Sequence, residues 1–395
     1  MPDRAGDIMD TKPLPVGKLP MELLQTLLER YGGHDEQLVV GPRVGEDAAV
    51  LDLGRRYLVV KSDPITFATD EIGWYVVHIN ANDVAIMGAT PRWFLLTLLL
   101  PEEQSTQTLI ETIFAQVSQA CEALGIVLCG GHTEVTHGLD RPIAVGLMLG
   151  EVEKADLVCT AGARSGDDVI LTKGIAIEGT AVLAREFGEV LEHKIGSDLV
   201  ARGRRFLKEP GISVVRDAQI ARRVGQPHAM HDPTEGGLAT GLRELAEASG
   251  KGIMVDLSTI PIFPETLAFC RVLNLDPLGL IASGALLLTA APEESSRIVQ
   301  ALVDGGSGAT VIGRVVDGPP SVQMKTPGGL QPMPVFERDE LARLFAKSPR
   351  VCPKIVGRGQ AARRICSQAH VHSLLPPMPA LRKANIAINP FFFQR

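Results

Sequence analysis

The sequence predicts a mixed α/β (α+β) protein of two domains followed by a tail of a different kind. Three observations lead there. The chain has 395 residues, and single domains typically run ~100–200. Short strand-like runs alternate with longer segments of helical spacing in two successive sets. From residue 347 to 395 there is no Asp or Glu, while Lys and Arg recur and prolines cluster. The expected divisions are an arm and helix over 1–36, a strand-rich domain over 37–155, a second domain over 156–346 and the tail over 347–395.

Residues before about 20 carry acids and prolines without an apolar core, which does not fit a leader peptide. Met21, Leu24, Leu27, Leu28 and Tyr31 then recur at helical spacing, with Pro20 suited to the first turn. Beyond the Gly32-Gly33 break, residues 37–40, 48–53 and 57–61 are strand-like. A helix is predicted over 71–87, ended by Gly88 and Pro91. Residues 93–100 form a buried apolar strand, 104–124 a long helix, and 126–129 and 143–152 two further strands.

The second set starts with a strand at 168–172 and a glycine-punctuated turn, 174–179, leading into a helix. Helices follow at 196–208 and 213–224, and HDPTEGG introduces another at 238–249. Strands are expected at 252–257, 282–289 and 311–316, with a helix at 292–304 between the last two. A helix over 337–345 ends the folded part. The tail fits either a flexible basic extension or a segment not selected with this fold, such as out-of-frame translation.

Composition excludes several classes. Hydrophobic residues make up 45% and charged residues 22%, ordinary globular values. A net charge of −7 argues against a nucleic-acid binder that works by general attraction. The longest apolar run, 93–100, is far short of the ~20 residues of a membrane helix. Cys121, Cys129, Cys159, Cys270, Cys352 and Cys366 include no C-x-x-C pair. They read as small buried hydrophobes in a reducing compartment, so a cytoplasmic protein is expected.

No G-x-x-x-x-G-K-[ST] sequence is present, and GGSGATVIG near residue 306 does not fit G-x-G-x-x-G. A nucleotide would need another means of holding its phosphates. The candidates are Asp47 in GEDAAV, Asp63 in VVKSDP, Asp83 in NANDVAIMGATP and Asp232 in HDPTEGG. Each stands at an element end or beside small residues, where a polyphosphate can approach the backbone. Magnesium takes carboxylate and phosphate oxygens and keeps several waters, so two or three carboxylates suffice as a cage. Singly, each Asp also fits a cap or turn residue.

In combination and order these segments resemble the aminoimidazole ribonucleotide synthetase (PurM) superfamily. GEDAAVLDL resembles its first acidic strand motif and SDPIT occupies the place of its second. NANDVAIMGATPRWFLLTLLLP is similar to the N-D-x-x-x-x-G-A-x-P segment, and GGHTEV to the G-G-x-T loop. HDPTEGGL resembles the D-x-T-x-G-G-L segment of the HypE hydrogenase-maturation branch. The resemblance covers roughly residues 38 to 330. It implies a PurM-like fold with an N-terminal ATP-binding domain that dimerises and a C-terminal α/β sandwich domain. It also implies ATP and Mg²⁺ as cofactors and a homodimer whose N-terminal sheets join. Asp47, Asp63, Asp83 and Asp232 carry over as metal and phosphate ligands. Gly130, Gly131 and Thr133 carry over to the nucleotide site, as does Asn82, which also fits packing or hydrogen bonding beside Asp83.

At the glycine loop many relatives have Asp where this chain has His132. A neutral imidazole is a poor magnesium ligand, so His132 is expected to hydrogen-bond phosphate or substrate, with Glu134 supplying a carboxylate from the same strand face. Lys173 fits either a point charge reaching phosphate, with Glu178 nearby, or a solvated strand end. His228 and His231 flank Asp232, and either fits a core histidine with a satisfied ring, His228 more than His231.

The HypE branch implies ATP-dependent activation of a carbamoyl oxygen for hydrogenase cyanide assembly, with a carbamoyl-transferring maturation partner. The branch bears its acceptor cysteine in a P-R-I-C-like ending. Here residues 362–366 read ARRIC, so Cys366 is either that thiol or a chance match, with residues 367–395 following. Two alternatives stay open. One is a phosphotransferase of the thiamine-monophosphate kinase or selenophosphate synthetase type acting on a small-molecule acceptor; the other is a non-catalytic ATP-binding scaffold. The arm has Lys12 and Lys18 but no Cys, against the selenophosphate branch.

Overall fold

The computed structural model describes Leu14 and residues 18–43, 45–66, 68 and 70–347. Apart from residue 347, the tail, with Cys366, lies outside the described residues, as does Lys12.

The first set of elements comprises α1 (Met21–Tyr31), β1 (Leu38–Val40), β2 (Ala49–Asp52), β3 (Arg56–Ile65), α2 (Ile72–Ile86), β4 (Thr90–Pro101), α3 (Gln107–Leu124), β5 (Val127–Thr136) and β6 (Ile143–Glu153). Its sheet runs β1-β2-β3-β6-β4-β5. Only β4 and β5 pair in parallel; the other neighbours are antiparallel. A parallel pair needs a crossover, and α3 supplies it. The Thr106 hydroxyl caps α3 by accepting from Leu109 N at 3.2 Å, and Gly125 ends it at φ 67°.

The second set comprises β7 (Asp168–Thr172), α4 (Ile177–Glu186), α5 (Gly188–Ile195), α6 (Ser197–Arg205), α7 (Val215–Val224), β8 (Ala229–His231), α8 (Gly237–Ser249), β9 (Gly252–Asp256), α9 (Pro264–Leu273), β10 (Leu287–Ala290), α10 (Pro292–Asp304), β11 (Ala309–Val316), β12 (Ser321–Thr326), β13 (Gly329–Pro332) and α11 (Glu340–Lys347). Seven of these strands form the second sheet, ordered β13-β12-β9-β11-β7-β10-β8.

Several expected bounds change for identifiable reasons. β3 runs on to Ile65 because it pairs with β6 along its whole length, from Arg56↔Glu153 to Ile65↔Ala144. Asp63 is therefore inside the strand, not at its exit. GGHTEV belongs to β5, paired along β4 as far as Pro101↔Thr136, rather than to a loop. Gly131 makes that pairing possible: at φ 146° a side chain there would collide with the Leu96 carbonyl. The strand expected from 282 starts only at Leu287, because Gly284 turns the chain at φ 107°. The short strands β8, β12 and β13 and the helices α5 and α9 were not anticipated.

Helix α2 is buried on nearly every side, with Trp74 the one residue only partly covered. A helix apolar all round belongs in the interior. It lies against the first sheet through two glycines of β6. A Cβ at Gly146 would strike the Asn80 amide, and one at Gly150 would strike Val84 and the Thr90 carbonyl. That close approach lets Asn80 accept from Asp63 N at 2.8 Å and donate to Asp63 O at 3.2 Å. The interior helix thus holds the backbone of one candidate ligand.

The same helix reaches the second set of elements. Asn82 donates to Ile212 O and accepts from Val214 N, both at 2.8 Å. From the other side, Lys173 Nζ donates to Ser213 O at 2.5 Å and Gly284 O at 2.9 Å. Residues 211–214 are gripped between the two sheets' elements.

Among the described residues no helix is long and apolar enough to cross a membrane. Cys121 and Cys270 are buried, as expected of small hydrophobes, whereas Cys129 is exposed on the edge strand β5 and Cys159 is half-buried.

Candidate active site: a carboxylate cluster between the two sheets

Asp47 precedes β2, Asp83 stands in the last turn of α2 and Asp232 follows β8. One oxygen from each lies within 4.8 Å of the others. Asp83 and Asp232 are buried, and neither oxygen of Asp232 has a hydrogen-bond partner among the described residues. Burial pushes the Asp83 carboxyl up to about 7, against the pull of Lys61. Burial, then the charges of Asp83 and Asp47, push Asp232 well above the usual carboxylate range. Acids held this close and dry resist ionisation unless a cation joins them. The oxygen donors and the orphaned Asp232 oxygens fit a hard divalent ion such as magnesium.

Asp63 stands outside this trio, at the rim. Lys61 connects it: its ammonium lies 3.1 Å from Asp83 Oδ2 and 3.8 Å from Asp63 Oδ2. Burial opposes the Lys61 charge, but Asp83 and Asp63 outweigh it and raise its pKa. Sequence reading missed Lys61, although it sits two residues before Asp63 in VVKSDP, where strand alternation sends both to one face.

His231 is buried with both ring nitrogens engaged, as the core-histidine reading allows, and its contact with Asp47 is what sequence reading missed. Its Nδ1 lies 2.8 Å from Asp47 Oδ2 and its Nε2 3.1 Å from Glu244 Oε2. Burial opposes protonation, yet Asp47 and Glu244 outweigh it and raise the ring well above its ordinary value. Glu244 is in turn drawn down to about 2, burial being overcome by Lys18 and His231. Lys18 Nζ lies 3.7 Å from Glu244 Oε1 and 3.2 Å from Thr234 Oγ1, so the arm before α1 lies against the HDPTEGG segment. His228 Nδ1 sits 2.9 Å from Asp167, apart from the cluster.

The other candidates are not gathered here. His132 and Glu134 share a face of β5, 3.0 Å apart and exposed. With Gly130, Gly131 and Thr133 they belong to the far edge of the sheet, separated from β3 by β6 and β4. Three strand spacings are on the order of 14 Å. Asn82 uses both ends of its amide on residues 212 and 214, so it joins the two halves instead of facing a nucleotide. Lys173 is neither solvated nor free for phosphate. Its buried ammonium is 3.1 Å from Asp217 Oδ2 and also lies against Gly211, Ser213 and Gly284 carbonyls. A desolvated ammonium has three protons to donate, and these acceptors use them all.

The relationships to known proteins agree with this architecture. Sequence models of the AIR synthase-related family match residues 45–152 with the N-terminal domain and 164–325 with the C-terminal domain. Carbamoyl dehydratase HypE of Cupriavidus necator is 30% identical over 345 residues, covering 83% of this chain and 92% of that protein. The chain belongs to the AIR synthase-related family. A putative hydrogenase expression/formation protein of Methanocaldococcus jannaschii is 29% identical over 308 residues, with 75% of this chain and 88% of that one covered. Among solved structures, HypE in complex with ATP superposes with a TM-score of 0.63 at 24% identity, covering 83% of this chain and 98% of that chain. A thiamine monophosphate kinase from Aquifex aeolicus gives 0.59 at 20% identity, with 77% and 96% covered. These two likenesses concern the fold alone.

Proposed function

We propose that this protein is an ATP-dependent, HypE-like maturation enzyme that activates a carbamoyl or amide oxygen by phosphorylation. The supporting observation is the trio Asp47, Asp83 and Asp232, with Asp232 orphaned at both oxygens. Asp47, Asp83 and Asp232 would hold Mg²⁺, with Asp63 turned toward the phosphates at the rim. When bound, the ion would neutralise the phosphate charge that otherwise repels an attacking oxygen. Lys61 holds Asp63 and Asp83 in one constellation, and His231 fixes Asp47 through a charged hydrogen bond.

The exposed strand β5 supports a homodimer in which the edges of two first sheets meet. Val127 and Val135 are 58% and 52% exposed on it, and an uncovered apolar edge favours pairing with another chain. His132 and Glu134 would then act from that joint, on substrate or phosphate, in company with the partner's sheet. A carbamoyl-transferring protein is the proposed upstream partner, in keeping with the HypE-like reading.

The test is ADP release from Mg-ATP with a carbamoylated cysteine peptide spanning residues 362–366, with thiamine monophosphate, and with neither. Release with the peptide alone, accompanied by thiocyanate on the cysteine, is the expected result. Release with thiamine monophosphate alone would replace this reading with a kinase. Tight nucleotide binding without release in any mixture would leave a scaffold.

A further inference from the structure

Lys61 and Lys173 both carry an ammonium into the protein, but they are held differently. Lys173 is surrounded by backbone carbonyls and Asp217. The Lys61 ammonium instead meets two carboxylates, Asp83 Oδ2 at 3.1 Å and Asp63 Oδ2 at 3.8 Å, and among the described residues no carbonyl accepts from it. Asp83 Oδ2 is buried and receives no directed hydrogen bond, so its contact with Lys61 is one of charge.

Two elements make this arrangement. Along β3, Lys61 and Asp63 are two residues apart and share a face. On α2, Asn80 and Asp83 are three residues apart and share a face. Asn80 bonds the Asp63 backbone at both its N–H and its carbonyl, which sets the Asp63 carboxylate beside Asp83. Like charges brought together need a counter-charge. Lys61 supplies it from the same strand as Asp63.

Asp83 is thereby shared between the trio and Lys61. Sites that use two metal ions on phosphate hold them about 3.5–4 Å apart, close enough for one carboxylate to serve both. We propose that Lys61 takes the place of a second divalent ion, so that the chain loads one cation with its nucleotide where a two-metal site would load two. The inference rests on the cation site proposed above. An ion bridging Asp63 and Asp83 would need an oxygen of each at about 2.0–2.1 Å, inside the space that the ammonium fills. Repulsion between the two positive charges adds to this exclusion. Asp63, left out of the trio, carries the oxygen such an ion would recruit.

Lys61 is on this reading a positioning residue, which fixes two carboxylates by charge and forms no bond to the reacting atoms. A lysine differs from a bound ion in being present at any metal concentration. The pairing of Asp63 with Asp83 therefore survives removal of metal, and only the trio waits for its ion.

Mn²⁺ takes the same kind of oxygen ligands as Mg²⁺, and its electron paramagnetic resonance separates isolated ions from coupled pairs. The full-length protein is titrated with Mn²⁺ at saturating β,γ-methylene ATP, an analogue that does not transfer its terminal phosphate. The parent protein should retain a single ion per chain, with the spectrum of isolated Mn²⁺. Lys61→Gln should take up a second ion and show the exchange-coupled spectrum of a close pair. Lys61→Arg, which keeps the charge, should stay with one uncoupled ion. A coupled pair in the parent or in Lys61→Arg overturns the inference, as does a single uncoupled ion in folded Lys61→Gln. The parent spectrum decides alone if Lys61→Gln fails to fold, one uncoupled ion supporting the inference and a coupled pair overturning it. Failure of both proteins to retain Mn²⁺ overturns the cation site itself, and this inference with it.

Discussion

Asp232 concentrates the energetics of the site, since its two oxygens are buried without partners beside two other acids. Asp232→Asn should weaken Mg-ATP binding by tenfold or more, about 1.4 kcal/mol, when followed by calorimetry. Unchanged affinity would remove it from the cage. The buried acid outside the cluster gives a different signature. Folded Glu178, raised by burial to about 7, holds its proton more tightly than the unfolded chain does. Stability should therefore fall as pH climbs from about 4.5 through about 7, and level off above. Glu178→Gln should make that limb shallower and stabilise the protein at pH 8 by on the order of 2 kcal/mol in chemical denaturation. Asp83 and Asp339, raised in the same direction, keep the rest of the limb in the variant. At this scale the sequence was partly legible. Asp47, Asp83 and Asp232 announce themselves through their contexts, whereas Glu244 carries no local signal. Its partner His231 is set opposite it only by the folding of β8 against α8.

At the scale of elements, the contact between α2 and β6 sets where Asp63 can be. Gly146 leaves room for the Asn80 amide, which bonds Asp63 on both sides of its peptide unit. Gly146→Ala should destabilise the protein by about 1–3 kcal/mol, the usual range for overpacking, and should lower Mg-ATP affinity at the same time. Loss of stability with intact affinity would show that Asn80 does not position the ligand. α3 shows through its helical periodicity, and α2 and β4 through long apolar runs bounded by breakers. β8, β12 and β13 have few residues to carry a pattern, and the glycines of GGHTEV read locally as a loop. Only pairing with β4, a nonlocal fact, makes that segment a strand.

For the whole molecule, the uncovered edge at β5 is the feature that looks outward. Val135→Lys places a charge on it and should shift sedimentation from dimer to monomer without changing the denaturation midpoint much. A monomeric parent protein would contradict the joint. The trio itself has a mixed parentage: Asp47 and Asp83 belong with the first sheet, Asp232 with the second. A divalent ion seated among them would act as a rivet across the seam that Asn82 and Lys173 already hold through residues 211–214. Nucleotide loading and the alignment of the two sheets would then be one linked equilibrium, in which each favours the other by the same free energy. A change at Asn82, remote from any phosphate, would consequently register as a looser grip on the metal.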